Sequence, residues 1–199
     1  LDSDILDLED YGLTATHLEI VTGSDFPLDP DSNITIETGY LTAGYVKIVD
    51  STVSFTYIEA DRLYMYQSII NNTCGSDMKC GVQVTGNEES KLIESLINLT
   101  SSSFISISGS NIKLIGSIIQ ATGSINLTAT SKLTITESIV EQFGSSNSVF
   151  RIDAPSFSFS DYRLKSNDVL EVVSNQSFTF DSDTNFQAKE LWFRVAGLT

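Results

Sequence analysis

The sequence is poor in residues on which many enzyme and metal sites depend. Its 199 residues include one histidine, two cysteines and three prolines. The histidine, His17, precedes Leu18 in a strand pattern, so it gives little basis for a Ser–His–acid nucleophilic site. It also gives little basis for a zinc site built from histidine and cysteine. No apolar run approaches the roughly 20 residues of a membrane-crossing helix, so we expect no membrane span.

Positive charge is also scarce. The chain has 11 lysines and arginines against 26 aspartates and glutamates, which gives a net charge of −15 and a pI of about 4.2. A chain of this charge repels nucleic acid and anionic lipid. We therefore expect no nucleic-acid partner, whereas cations and basic partners are compatible with the charge.

Serine and threonine are abundant instead, with 29 and 19 copies. Together with isoleucine, valine and phenylalanine they favour strands and turns over helices. Apolar residues alternate with a period of two, and the i, i+3, i+4 spacing of a helix is absent. The sequence therefore predicts an all-β fold.

One phrase recurs along the chain, and its cleanest copy is SNIKLIGSIIQATGS at residues 110–124. We align the repeats on Leu114, which is the second apolar strand residue of this phrase. Eight positions along the chain, Leu114 included, match in this alignment. They span 160 residues in seven intervals, or about 23 residues per repeat. A period in the twenties is typical of a solenoid, in which each coil buries its apolar face against the next. The matching positions are Ile20, Ile48, Met65, Leu92, Leu114, Ile135, Phe159 and Phe180.

A serine follows the anchor by three residues in five of these repeats. Its recurrence has two interpretations: the hydroxyls satisfy backbone groups at a bend, or they form a ladder of surface ligands. We favour the bend. The serines are Ser51, Ser68, Ser95, Ser117 and Ser138.

From these patterns we predict one solenoid domain of about eight coils over residues 13–199, preceded by a segment at 1–12 that contacts another subunit or frays. Residues 22–37 and 71–90 are interpreted as lengthened turns between coils. Apolar positions form ladders inside, and two phenylalanine pairs predict an aromatic stack near the end. The pairs are Phe157 with Phe159 and Phe178 with Phe180.

Two stretches carry a resemblance to known proteins. Residues 110–141 (SNIKLIGSIIQATGSINLTATSKLTITESIVE) and 44–54 (GYVKIVDSTVS) resemble parallel β-helix surface proteins, a broad group of adhesins, extracellular repeat proteins and pectin-lyase-like folds. The resemblance covers most of residues 13–186 and points to no specific family. It implies a right-handed coil and a role in adhesion, fibres or polysaccharide binding, and some members are polysaccharide lyases or hydrolases.

Cysteines and glycosylation sequons predict an extracellular or cell-surface location. Cys74 and Cys80 lie in a polar, glycine-flanked segment, which favours a short disulfide-closed loop over two free thiols. Five Asn-X-Ser/Thr sequons exceed the roughly 2–3 expected by chance for this composition. The predicted glycosylation sites are Asn33, Asn71, Asn98, Asn126 and Asn175.

Clusters of oxygen-bearing side chains give weaker signals. Asp29 and Asp31 in DPDSN, and Asp181 and Asp183 in DSDTN, have the alternation that opens a calcium loop, although both segments lack its later glycine and glutamate. Turns formed by Asp and Asn side chains are the favoured alternative. Calcium is the only cofactor that the sequence suggests.

Acidic pairs and tyrosines are candidates for work on polysaccharides. Glu59 with Asp61, and Glu137 with Glu141, could act as paired carboxylates in glycoside hydrolysis. Exposed tyrosines in the second and third coils could stack on sugars, although cross-strand packing is the favoured explanation. These tyrosines are Tyr40, Tyr45, Tyr57, Tyr64 and Tyr66.

The predicted function follows from the ends of the solenoid. An open coil end is an unpaired sheet edge, and no amphipathic capping helix is visible at either end. Head-to-tail stacking of copies does not close on itself and gives a filament. We therefore expect a structural subunit of an extracellular filament or coat. The alternatives are a polysaccharide-binding adhesin module and, after that, a polysaccharide-acting enzyme.

Overall fold

A computed structural model describes residues 12–21, 25–28, 33–72, 80–100, 103–144, 148–178 and 184–198, with side chains described from residue 40 onward except for residue 72. These residues form strands and turns with no helix. The first strands are β1 Gly12–Val21, β2 Asp25–Leu28, β3 Asn33–Val49, β4 Thr52–Ser54, β5 Tyr57–Tyr66, β6 Ile69–Asn72, β7 Gly81–Val84, β8 Ser90–Ile93, β9 Leu96–Leu99, β10 Phe104–Ile115 and β11 Ile118–Ala121. The remaining strands are β12 Ile125–Thr136, β13 Ile139–Gln142, β14 Val149–Asp153, β15 Ser156–Ser160, β16 Arg163–Ser166, β17 Val169–Val173, β18 Ser177–Phe178, β19 Phe186–Gln187, β20 Glu190–Arg194 and β21 Gly197–Leu198.

All the strand pairings are parallel and join equivalent parts of successive coils. In one repeat, the first half of β10 continues into its second half, and a sharp corner then leads to β11. These three parts pair with the two halves of β12 and with β13 of the next coil. We refer to the three stacked columns as the first, second and third faces. The chain is therefore a parallel β-solenoid, as the period of the sequence predicts, with about seven turns where about eight coils were expected.

Ladders of aliphatic side chains fill the interior. Cα pairing aligns Ile58 with Val82, Val82 with Ile105, and Ile105 with Ile125 on the first face. Each of these residues is at most 1% exposed, so the ladder removes nearly all of its apolar surface from water. The whole ladder is Leu41, Ile58, Val82, Ile105, Ile125, Phe150 and Leu170.

The second-face ladder confirms most of the predicted anchors and corrects the first. Ile48, Met65, Leu92, Leu114 and Ile135 follow one another in register. The partner of Ile48 in the preceding coil is Leu28, whereas Ile20 pairs with Leu41 on the first face. The two segments have the same alternation, so the pattern alone does not distinguish the faces.

That correction changes the interpretation of residues 22–37 as an inserted turn. The range contains β2 and the beginning of β3, so it completes a coil with strands. The first interval on the second face now runs from Leu28 to Ile48 and is 20 residues long, whereas the interval from Ile20 was 28 residues. The new value is close to the other intervals between repeats.

The predicted aromatic stack is present near the C-terminal coils. The rings of Phe157 and Phe159 lie 5.3 Å apart, and those of Phe157 and Phe178 lie 5.5 Å apart. Tyr162 extends the stack, with its ring 4.8 Å from that of Phe159. Phe180 lies outside the described residues.

Candidate functional site

The corner between the second and third faces is the most regular feature of the surface. One residue per coil turns the chain there with a φ between 46° and 59°. This left-handed conformation costs an ordinary side chain roughly 1–2 kcal/mol. We call these residues the corner column: Asp50, Gln67, Glu94, Gly116, Glu137 and Asp161.

A serine follows five of the six corner residues, and it points inward and supports the turn, whereas Tyr162 follows Asp161. Ser117 Oγ donates to the carbonyl of Ile115 at 2.9 Å and accepts from the backbone N–H of Ser95 at 3.2 Å. The same two bonds recur from coil to coil, with N–H to Oγ distances of 3.0–3.3 Å. All five predicted serines are at most 4% exposed. The serines therefore satisfy the backbone of the bend, as favoured from the sequence.

Apolar side chains also flank the corner on the outside. Ile115 precedes Gly116 at the end of the second face, and Ile118, which is 37% exposed, begins the third. Ile93 and Leu96 take the same places one coil earlier. The core does not require these outward residues to be apolar. We call the two rows together the corner stripe: Tyr66, Ile93 and Ile115 on one side, and Ile69, Leu96, Ile118 and Ile139 on the other.

An ion-pair cluster joins two coils on the second face. Glu89 lies 2.7 Å from Lys91 Nζ and 2.7 Å from Lys113 Nζ. Burial raises the pKa of the Glu89 carboxyl, but the hydrogen bonds and charges of Lys113 and Lys91 outweigh burial and hold the pKa below its usual value.

A second cluster lies on the first face near the end of the described chain. Arg151 pairs with Asp153 at 2.8 Å and with Glu171 at 3.2 Å. Glu171 also lies 2.7 Å from Arg194 Nε, so three successive coils are linked. The hydrogen bond from Arg151 to Asp153 is the main cause that raises the pKa of the guanidinium. These residues are bonded to one another, and the cluster is suited to holding the coils in register.

The coil at residues 190–198, which we call the final coil, exposes apolar groups. Among the described residues, β20 pairs with β17 alone, which leaves its other edge open. Leu191 pairs in register with the core residue Leu170, yet it is 40% exposed. Trp192 and Leu198 are 45% and 52% exposed. The final coil thus presents a sheet edge and core-type side chains to solvent.

The structure does not assemble the predicted acidic pairs into an evident catalytic site. Glu59 accepts a hydrogen bond from the Tyr57 hydroxyl at 3.3 Å, while Asp61 is exposed. Glu141 is buried and pairs with Arg163 at 2.7 Å, whereas Glu137 stands exposed in the corner column. No group of three or more His, Cys, Asp or Glu side chains suited to a metal ion occurs in the described part of the chain.

The calcium segments cannot be compared with the structure, because Asp29, Asp31, Asp181 and Asp183 lie outside the described residues. Cys74 lies outside them as well, and Cys80 is 3% exposed, so the disulfide stays a prediction.

The sequons occupy different parts of the solenoid. Asn71 and Asn98 are half-buried Cα partners on the outside of the third face. Asn126 lies on the first face, paired with Arg151, and Asn175 is exposed in the turn after β17. Asn33 begins β3, where the structure describes the backbone alone.

The tyrosine prediction is wrong about exposure at one position. Tyr57 is 6% exposed, and its hydroxyl donates to Gln83 Oε1 at 2.8 Å. Its ring lies 6.3 Å from that of Phe104, with the side-chain-free Gly81 paired between the two residues. Tyr40, Tyr45, Tyr64 and Tyr66 are partly exposed.

The corner column and the corner stripe are the features that sequence reasoning missed. The signal was present, because the residue before each recurring serine is Asp, Gln, Glu or Gly, and an aliphatic or tyrosine often precedes it. The outward positions repeat less strictly in residue type than the serines and the inward positions do.

No family model, curated protein or solved structure matches the chain. No helix in the described residues is long and apolar enough to cross a membrane. The class that can be stated is therefore that of the fold, a parallel β-solenoid.

Proposed function

We propose that the protein is a structural subunit that stacks end to end into an extracellular filament or coat. The observation that carries this proposal is the final coil, where Leu191 continues a core ladder but remains 40% exposed. A further coil on the open edge of β20 would cover Leu191 and continue the backbone pairing. Exposed edges of this kind are templates for pairing with another chain.

The orientation of the backbone supports this role for the edge. The N–H of Glu190 donates to Asp168, and the carbonyl of Arg194 accepts from Ser174, so these residues bond toward β17. Alternate residues of a strand bond to opposite sides, which directs the backbone groups of Leu191 toward the open edge. The edge therefore offers hydrogen bonds as well as apolar area.

Charge favours head-to-tail over head-to-head contact. The first 46 residues contain no lysine or arginine but ten acids: Asp2, Asp4, Asp7, Glu9, Asp10, Glu19, Asp25, Asp29, Asp31 and Glu37. The final coil and the turn before it carry Lys189 and Arg194 beside one acid, Glu190, and Lys189 and Arg194 pair with Asp168 and Glu171. This end is therefore much less acidic than the first 46 residues, and contact between two acidic ends is opposed by the stronger repulsion.

An extracellular setting is part of the same proposal. Asn71, Asn98 and Asn126 point away from the core, which leaves their side chains on the surface where an N-glycan can be accommodated. The predicted pairing of Cys74 with Cys80 also belongs to an oxidising compartment.

Sedimentation velocity across a range of concentrations tests the stacking. We expect wild type to form larger species as concentration rises, and Leu191→Lys to remain small, because the substitution places a charge on the ladder that the next coil must cover. Phe143→Ser is the matched control, since Phe143 is 40% exposed on the side of the solenoid. Circular dichroism melts verify that each variant folds. Equal loss of assembly in both variants, or no concentration dependence in wild type, argues against the proposal.

An adhesin remains the second candidate because of a groove between the first and second faces. Gly44, Tyr45, Asp61, Arg62 and neighbouring residues of the following turn line it. The Arg62 guanidinium lies 4.7 Å from the centre of the Tyr45 ring, and Arg62 also pairs with Glu88 at 3.1 Å. An aromatic ring beside several hydrogen-bonding groups is suited to a sugar. Binding on a glycan array that Tyr45→Ala abolishes would favour this function.

A further inference from the structure

The corner stripe repeats in successive coils although the core does not need it. Inward residues explain the alternation on both faces, but Ile93, Ile115, Leu96 and Ile118 point outward. Cross-strand pairs such as Ile93 with Ile115 and Leu96 with Ile118 stabilise the sheet to a small extent, yet Ile118 remains 37% exposed. Recurrent outward aliphatic residues are therefore evidence of a surface that something covers.

Gly116 interrupts the acidic ridge at the centre of this stripe. Cα register stacks Glu94, Gly116 and Glu137 in adjacent coils of the corner column. The three atoms nearest to a Cβ at residue 116 would all belong to Glu94, with Glu94 Cγ at 3.4 Å, and the Glu94 carboxylate accepts a hydrogen bond from Gln67 Nε2 at 2.7 Å. The missing side chain leaves a notch at residue 116. Glu94 and Glu137 flank the notch along the solenoid axis, and Ile115 and Ile118 flank it in the perpendicular direction.

The dimensions of the notch fit a basic side chain. Successive coils lie about 4.8 Å apart, so the Cα atoms of Glu94 and Glu137 are separated by about 9.6 Å. An ammonium or guanidinium between them is within reach of the Glu137 carboxylate and of the Glu94 carboxylate, which also accepts from Gln67. The alkyl stem of a lysine or arginine covers apolar surface while its head stays polar, and Ile115 and Ile118 supply that surface.

We propose that the corner stripe docks a basic, apolar segment of a partner protein, with one lysine or arginine side chain seated at Gly116. The apolar residues of the segment cover Ile93, Leu96, Ile115 and Ile118. This binding function is separate from end-to-end stacking, since it uses the side of the solenoid.

Charge complementarity favours a basic segment over a second copy of the chain, anionic lipid or nucleic acid at the corner stripe. A second copy of the chain carries a net charge of −15 and would oppose acids with acids. Anionic lipid and nucleic acid are repelled for the same reason. Four of the six corner residues are acidic, so a partner that lies along the corner needs positive charge as well as apolar side chains.

Fluorescence anisotropy with two labelled peptides tests the docking. One peptide alternates lysine and leucine, and the other alternates lysine and serine with the same charge. We expect the lysine–leucine peptide to bind wild type at least about tenfold more tightly. Ile118→Thr should remove most of that preference, and Gly116→Asn should do the same, because asparagine tolerates the left-handed turn while filling the notch.

Two controls make the result specific to the corner. Glu137→Gln should weaken lysine–leucine binding more than Asp61→Asn, which removes an equal charge from an exposed site at another corner. Thermal melts confirm that each variant is folded. Equal affinity for the two peptides, or equal effects of Glu137→Gln and Asp61→Asn, would overturn the proposal, because both indicate general attraction to an acidic protein.

Discussion

Ser117 shows how a single side chain supports the sharp corner of a coil. Its hydroxyl donates a hydrogen bond to the carbonyl of Ile115 and accepts one from the backbone N–H of Ser95 in the adjacent coil. A buried amide without a partner costs roughly 1–3 kcal/mol, so a small polar residue suits the bend at which such an amide must be satisfied. Serine serves because its short hydroxyl reaches both groups within the turn.

Substitution of Ser117 by alanine should therefore lower the free energy of unfolding by about 1–3 kcal/mol, because it leaves the Ser95 amide unsatisfied. Ser131→Ala is the control, since Ser131 is exposed and a change there should stay within about 0.5 kcal/mol. Urea denaturation of both variants measures the difference. Equal stability of the two would show that the hydroxyl of Ser117 is dispensable.

The register of the recurring serines and apolar residues could be predicted from the sequence, because the same residue types recur at the same spacing in successive repeats. The left-handed corner could not be read so directly. Asp50, Glu94 and Glu137 are ordinary surface residue types, and only their φ values, between 46° and 49°, mark them as turn residues. At Tyr57 the environment decided the outcome, since Gly81 brings no side chain between Tyr57 and Phe104, whose ring centres lie 6.3 Å apart.

At the scale of elements, charged side chains connect coils that the backbone already pairs. Glu89 precedes β8 and links Lys91 on that strand to Lys113 on β10. The pKa of Glu89 is lowered in the folded state, so its stabilising effect is present above the unfolded-state pKa and is lost as the pH falls through the folded-state value.

We expect wild type to be more stable than Glu89→Gln near neutral pH. The difference should stay constant down to about pH 5 and shrink as the pH falls through about 4 and below, where the carboxylate becomes protonated. Thermal melts at a series of pH values check this. A difference that grows as the pH falls would contradict the assignment of the ion pairs.

Element boundaries show where sequence patterns lose information. The alternation around Ile20 and that around Leu28 are equivalent as patterns, and only pairing with β3 assigns one to the first face and the other to the second. A period-two pattern states which residues point inward, but it does not state which face of a coil they belong to.

At the scale of the whole molecule, one stacking pattern builds the interior of the described coils. Each coil covers the ladder of the coil before it, and Leu191 is the position where that cover is incomplete among the described residues. The fold could be predicted from the period because every repeat contributes evidence to it. The proposed functions could not, because the proposals rest on surfaces that occur once, such as the edge of β20 and the notch at Gly116.

Electron microscopy of the purified protein at increasing concentration tests the central claim most directly. End-to-end stacking through the final coil predicts rods of constant width whose length grows with concentration, since the interface is the same at every junction. Particles of one fixed length at every concentration would contradict the account.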